Sequence, residues 1–377
     1  MRNLFTTLDL ETLTSAARVA VGDSLDVQSG ERVLIVTNPS KQVYEVAMAL
    51  YNAAAEKGAE TVLIVQPVKS QLDFADDAVI DAISSEPDVF ISISAHKLGK
   101  DRFAVAHPYT FEGKSYDHVF RYLLASRRLR AFWSPNIDAD MFTRTVPIDY
   151  DRLRGEAEAV RDVLDACEEV HISSPAGTDL RMGLRHRKPF TDDGNLSEPG
   201  KGGNLPAGET FISPQIGACE GTIVFDGSLA LSEGDVVANT PVRVTVEDGY
   251  VVDIDDNQTG RKLLDTISES ESNALRFERE GMLPKGSGAA YRRNARGMGE
   301  LGIGLNPNAR VTGNMLEDEK AYGTCHIAIG SNYDQDAPSL THLDCLVREP
   351  TMVALMRDDS RRTFMQDGKL LIAPKLA

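Results

Sequence analysis

Thr324-Cys-His-Ile-Ala-Ile-Gly330 and His342-Leu-Asp-Cys-Leu-Val347 are short apolar runs, and each reads as a β-strand. Alternation then puts His326 on one face with Thr324 and Ala328, while Cys325, Ile327 and Ile329 point the other way. Side chains two apart share a face, so His342 and Asp344 stand together. If the two strands are neighbours, His326, His342 and Asp344 form one cluster. A lone histidine on a strand is more often a hydrogen-bonded core residue than a ligand. Three polar groups on otherwise apolar strands point to a site, because unpaired buried polar groups are costly.

The surrounding sequence strengthens this reading. Glu300-Leu-Gly-Ile-Gly-Leu-Asn-Pro307 and Asp318-Glu-Lys320 precede the two strands. Imidazoles, carboxylates and glycines within such a short stretch are the makings of a divalent metal site usable by zinc, cobalt, manganese or iron.

Composition sets the frame. The chain has 377 residues, 42% hydrophobic and 26% charged, as in an ordinary globular protein. Its length suggests two domains. The net charge of −17 argues against nucleic acid or an anionic membrane as partner. Met-Arg-Asn-Leu-Phe-Thr at the start lacks the apolar core of a signal peptide, and no apolar run approaches the roughly 20 residues that span a bilayer. Cys167, Cys219, Cys325 and Cys345 are widely spaced with no CxxC pair, which suggests reduced thiols in a cytoplasmic protein.

Residues 1–167 read as an α/β scaffold domain. Helical spacing runs from Leu8 to Leu25 and from Val43 to Lys57. Arg32–Val36, Thr61–Val65 and Asp88–Ile93 are strand-like, and Ala131–Trp133 resembles a further strand end. Strand–helix–strand repetition implies a parallel sheet with right-handed crossovers, of Rossmann-like or flavodoxin-like type. Thr37-Asn-Pro-Ser-Lys41, after the first strand, carries no phosphate-binding motif. His96, His107 and His118 lie in or beside Ser94–Tyr122, near Lys97, Lys100, Arg102 and Tyr116. They are compatible with ordinary loop histidines or with a lid or substrate-recognition role.

Residues 168–377 read as a second domain rich in antiparallel sheet, joined through a charged helix from Asp149 to Glu169. Short strands are expected at Glu169–Ser173, Thr222–Phe225, Val242–Val246 and Tyr250–Ile254, with Glu247-Asp-Gly249 as a hairpin turn. Thr191–Gly208, with its glycines and prolines, is expected to be a loop, and Glu209 follows where the loop enters a strand. Gly260–Glu280 is expected to be an amphipathic helix.

Asn204-Leu-Pro-Ala-Gly-Glu209, Gly299-Glu300-Leu-Gly-Ile-Gly, Asp318-Glu319-Lys320, His326-Ile-Ala-Ile-Gly330 with Tyr333, and His342-Leu-Asp344 together resemble the thermophilic aminopeptidase family, dinuclear metallopeptidases of the aminopeptidase T kind. The resemblance covers the second domain and, more loosely, the first. It implies that Glu209, Glu300, His326, His342 and Asp344 bind two divalent ions (Zn, Co or Mn) with a bridging water. It further implies catalytic roles for Glu300, Glu319 and Tyr333, a small peptide or amide substrate, and a homodimer. The expected activity is that of a metalloaminopeptidase, a hydrolase releasing N-terminal residues; a related amide hydrolase is one alternative. The other is the related branch of iron-dependent dioxygenases that open dihydroxypyridine rings, in which one iron would use His326, His342 and Asp344. In that branch the position of Glu300 is a histidine and that of His326 a serine, so these two residues here favour the peptidase expectation.

Overall fold

The computed structural model describes residues 10–70 and 73–375. The chain forms two compact units. One comprises residues up to Tyr150 together with Gly194–Ala207; the other comprises Asp151–Asp193 and Gly208 onward.

The first unit is built on a parallel sheet in the order Gly202–Asn204, Arg130–Trp133, Val89–Ile93, Arg32–Thr37, Glu60–Val65. Val33–Thr37 and Val89–Ile93 are buried along their length. A parallel strand covered on both faces has no solvent side to accommodate polar alternation. Glu60–Val65 lies at the edge and alternates with solvent. Helices Lys41–Glu56 and Asp77–Ser84 make the crossovers. The expected helix from Leu8 is found as Leu10–Val19, closed by a π-helical turn over Ala20–Ser24; Leu8 and Asp9 lie outside the described residues.

The expected loop at Thr191–Gly208 is more structured than its composition suggests. Phe190–Asp192 is a strand, and Gly202–Asn204 forms the edge of the parallel sheet beside Arg130–Trp133. A Gly-Gly-Asn segment has little strand propensity, and the partner strand supplies the pairing.

The second unit contains two antiparallel sheets. One runs Tyr250–Ile254, Val242–Glu247, Cys219–Phe225, Asp179–Gly183, Cys167–Ser173, Thr351–Met356, Arg361–Gln366, Lys369–Leu370. Its first hairpin turns at Asp248 (φ 48°) and Gly249 (φ 78°), the left-handed pair that a tight two-residue turn requires. The expected helix from Asp149 ends at Ala166, and Cys167 already opens the next strand.

The other sheet carries the candidate site. Its order is Val236–Val237, Ser228–Leu229, His342–Arg348, Thr324–Gly330, Met298–Gly304, Glu209–Ile212, Phe190–Asp192. Met298–Gly304 and Thr324–Gly330 are central and buried at every position. Register settles the faces. Leu301 pairs with Ile327 and Ile327 with Cys345, which forms an apolar row on one side. Glu300 pairs with Ala328 and Ala328 with Asp344, so the opposite side carries charge. The architecture is thus a parallel α/β unit followed by a unit of large antiparallel sheets, as the sequence pattern implies.

Candidate metal centre

Five adjacent strands deliver the donors to one sheet face. Asp192 pairs with Glu209 and Glu209 with Gly304; Gly302 pairs with His326; Gly330 pairs with His342. Glycine or alanine at 302, 304, 328 and 330 leaves room among the polar side chains. At Gly302 the requirement is steric, because a Cβ there would fall 2.0 Å from Cε1 and Nε2 of His326. The imidazole occupies the space that any side chain at 302 would need.

Glu300 joins the two histidines. Its Oε1 lies 3.1 Å from His326 Nε2, and its Oε2 lies 3.4 Å from His342 Nε2. His342 Nε2 is also 3.2 Å from Asp344 Oδ1, and His326 Nε2 is 3.5 Å from Glu209 Oε2. His342 Nδ1 bonds the backbone oxygen of Ser331 at 2.8 Å. A carbonyl only accepts, so Nδ1 carries the proton, and in the neutral ring the Nε2 lone pair faces the two carboxylates. That is how protein histidines are oriented toward metals.

The site's charges do not balance without an added cation. Asp192, Glu209, Glu300, Glu319 and Asp344 bring five carboxyl groups, and among the described residues Lys320 is the one ammonium in contact with them. Glu209 Oε2 and His326 Nδ1 are buried and make no hydrogen bond, while Glu300 Oε2 and Asp344 Oδ1 share the single Nε2 of His342. In the absence of a metal, both imidazoles must supply positive charge. Burial alone would favour neutral His326, but the bond to Glu300 and the charges of Glu209 and Asp344 push it up to about 9. His342 is raised in the same way against burial, chiefly by Asp344. Burial raises Glu209, and it also opposes ionisation of Glu300 and Asp344. For Glu300 the two imidazoles prevail, and for Asp344 His342 leads, so both carboxyls sit below their usual range.

Two donor groups have their ligand atoms within 4.8 Å of one another: Glu209, Glu300 and His326, and Glu300, His342 and Asp344. They share Glu300. An orphaned carboxylate oxygen, an oriented imidazole and two overlapping triads fit a divalent metal.

Sequence reasoning did not assign Lys320 or Asp192. Lys320 is 1% exposed. Its ammonium bonds Glu209, lies 2.8 Å from Glu319 Oε1 and lies 3.2 Å from Asp192 Oδ2. The signal was available, since Asp318-Glu-Lys320 places a cation inside an otherwise acidic donor region. Burial lifts Glu319 to about 7 and Asp192 to about 6 despite that cation.

Tyr333 remains 54% exposed at the side of the cluster. Its ring meets His342 edge-on at 5.8 Å and Phe211 at 4.7 Å. Phe190, itself exposed, stacks on Phe211 at 5.5 Å. An aromatic strip therefore adjoins the donors. Cys325 and Cys345 lie on the opposite sheet face, in line with strand alternation, and all four cysteines are free and buried.

Comparison with known proteins corrects the expected activity. A family model described as NicX, 2,5-dihydroxypyridine 5,6-dioxygenase, matches residues 127–353, more than half of the chain. The 2,5-dihydroxypyridine dioxygenase of Pseudomonas putida KT2440 superposes with a TM-score of 0.69 at 17% identity, covering 98% of this chain and 99% of that one. Wild-type AmpT from Thermus thermophilus gives 0.66 at 18% identity, covering 96% and 99%. No curated protein matches. The shared fold explains the resemblance to aminopeptidase T. The hydrolase, aminopeptidase and protease reading is overturned by the family match. It rested on a motif resemblance across the second domain, with the donor types at Glu300 and His326 set against the dioxygenase branch, and donors mark a metal site without specifying its reaction. Across residues 127–353 the chain belongs to the NicX 2,5-dihydroxypyridine 5,6-dioxygenase family.

Proposed function

We propose that this protein is a metal-dependent oxidoreductase that opens a hydroxylated aromatic ring with dioxygen. The observation that carries this reading is the juxtaposition of two imidazoles and a carboxylate with an exposed aromatic strip, in a chain of this family. His326 with Glu209 and Glu300, and His342 with Glu300 and Asp344, offer the imidazole and carboxylate donors that suit non-haem iron. When bound, iron(II) supplies the one-electron chemistry that triplet dioxygen needs to react with a closed-shell ring. Both oxygen atoms end in the product as a ring bond breaks, so no external reductant is required.

The chain's own groups have separable roles. Tyr333 and Phe211, their rings 4.7 Å apart, offer aromatic faces for a planar substrate. Ser331 holds the imidazole of His342 in one tautomer. Glu319, near neutrality in its ionisation, can take and hold the proton of a ring hydroxyl. Lys320 keeps Glu209 and Asp192 in place.

A second reading concerns the metal alone. Two ions would be held by Glu209, Glu300 and His326 and by Glu300, His342 and Asp344; zinc, cobalt and manganese suit such donors. The protein is further proposed to act in the cytoplasm, consistent with four free cysteines, and as a homodimer on a small molecule. Among the described residues no helix is long and apolar enough to cross a membrane.

The deciding experiment loads metal-free protein anaerobically with iron(II), zinc, cobalt or manganese and adds 2,5-dihydroxypyridine in air-saturated buffer. Elemental analysis counts ions per chain. Oxygen uptake matching loss of ring absorbance, with iron alone, is the expected result. Ring loss without oxygen uptake, or no turnover by fully iron-loaded protein on any dihydroxylated ring, would overturn it.

A further inference from the structure

The parallel-sheet unit contains a cavity of about 430 Å³ at the carboxyl ends of Val89–Ile93 and Arg130–Trp133. Open α/β sheets bind ligands at that end of their strands, and the volume is within the range of small-molecule sites. One wall is aromatic. Phe90 and Phe120 lie 5.1 Å apart, and Trp133 meets Phe120 edge-on at 5.4 Å. The rim is basic, with His96, Lys97 and Lys100 exposed along it. The acidic member, Asp117, lies 3.4 Å from the guanidinium of Arg121.

Buried polar groups line the same cavity. His118 is 8% exposed, and its Nδ1 accepts from the N–H of Phe120 at 3.1 Å. The ring proton therefore sits on Nε2, which is buried beside the backbone of Gly99. Ser92 and Ser94, 4% and 3% exposed, bond each other at 3.0 Å.

The wall carrying these groups is held in place. Asn38 Oδ1 accepts from the N–H of Ala95 at 2.8 Å, and Gln66 Nε2 donates to the carbonyl of Leu98 at 2.8 Å. Asp101 accepts from the N–H groups of Phe103, Ala104 and Val119. Asn38, Gln66 and Asp101 are all buried. A loop fixed by three buried side chains keeps the cavity formed and lowers the ordering cost of binding.

We infer that this cavity binds a planar aromatic carboxylate, its ring against Phe120 and Trp133 and its anionic group toward Lys97, Lys100 and His118. In a chain of net charge −17, a locally basic, aromatic-walled cavity is fitted to an anion with an apolar body. The inference stands independently of the ring-opening reading.

Trp133 is the single tryptophan of the chain, so its emission reports this site. The test titrates benzoate, with benzamide as the neutral isostere, into chelator-treated full-length protein. Removing the metal excludes binding through the metal centre. The expected result is saturable quenching by benzoate, at least tenfold weaker binding of benzamide, and at least tenfold weaker benzoate binding in K97A/K100A. Those two side chains are exposed, so that variant should fold; an unchanged circular-dichroism melt checks this. His118→Phe, which removes a polar group from the cavity lining, should weaken benzoate as well. Absence of saturable quenching, equal affinity for benzamide, or undiminished affinity in the folded double-lysine variant would overturn the inference.

Discussion

The ring of His326 fills the position that a side chain at residue 302 would take: a Cβ on Gly302 would come within 2.0 Å of its Cε1 and Nε2 atoms. The paired residues sit directly opposite one another on central strands, so neither backbone can yield easily. Gly302→Ala should therefore displace the imidazole rather than unfold the sheet. A thermal melt of the metal-free variant should stay near that of the parent. Metal affinity, measured by competition with a chromogenic chelator, should fall by about 10- to 100-fold, as happens when a ligand loses its orientation. Undiminished affinity would remove His326 from the ligand set.

How much of this was legible beforehand follows from range. His326, His342 and Asp344 could be grouped because strand period is local and both strands are short and apolar. Glu209 and Glu300 joined them through a motif resemblance, and the sheet register shows all five on one face. Asp192 was lost inside what composition described as a loop, because its strand exists through pairing with Glu209–Ile212. Lys320 was visible, but a lysine's burial depends on three carboxylates brought from other elements or the adjacent turn. The reaction class was the hardest to read. Glu300 and His326 report what can bind a cation, whereas the family match spans residues 127–353 and depends on neither residue alone.

The metal-free protein should lose stability as pH rises. His326 titrates near 9 in the fold against about 6.5 when unfolded. Its folded pKa is raised, so its contribution is complete below about 6.5, shrinks from there to about 9, and is absent above. Asp192 at about 6 and Glu319 at about 7 are raised by burial and act in the same direction. Melting temperature measured between pH 6 and 10 with chelator should fall steadily. With metal bound, the cation takes over the role of the imidazole protons and the decline should flatten. Parallel curves with and without metal would contradict this.

Replacing Glu300 separates the two metal stoichiometries. Its two oxygens face different imidazoles, so Glu300→Gln removes the anionic bridge while keeping similar volume. If two ions share Glu300, the variant should retain at most one per chain by elemental analysis. If one ion is held by His326, His342 and Asp344, stoichiometry should remain at one while affinity falls about tenfold or more. A variant holding two ions as tightly as the parent would exclude Glu300 as a bridge.

Lys320 gives the sharpest test of the electrostatic account. It is the ammonium among five buried or half-buried carboxyls and contacts three of them. Lys320→Met keeps the length of the side chain and removes the charge. Breaking a buried ion pair from one side costs about 3–5 kcal/mol, because the remaining charge is left uncompensated. That loss should appear in urea denaturation of metal-free protein at pH 8. At pH 5 it should be markedly smaller, since Asp192 and Glu319, already raised to about 6 and about 7 with the lysine present, would take up protons and remain neutral. A Lys320→Met penalty that is the same at both pH values would mean that the ammonium acts through packing, and that the carboxylates do not depend on its charge.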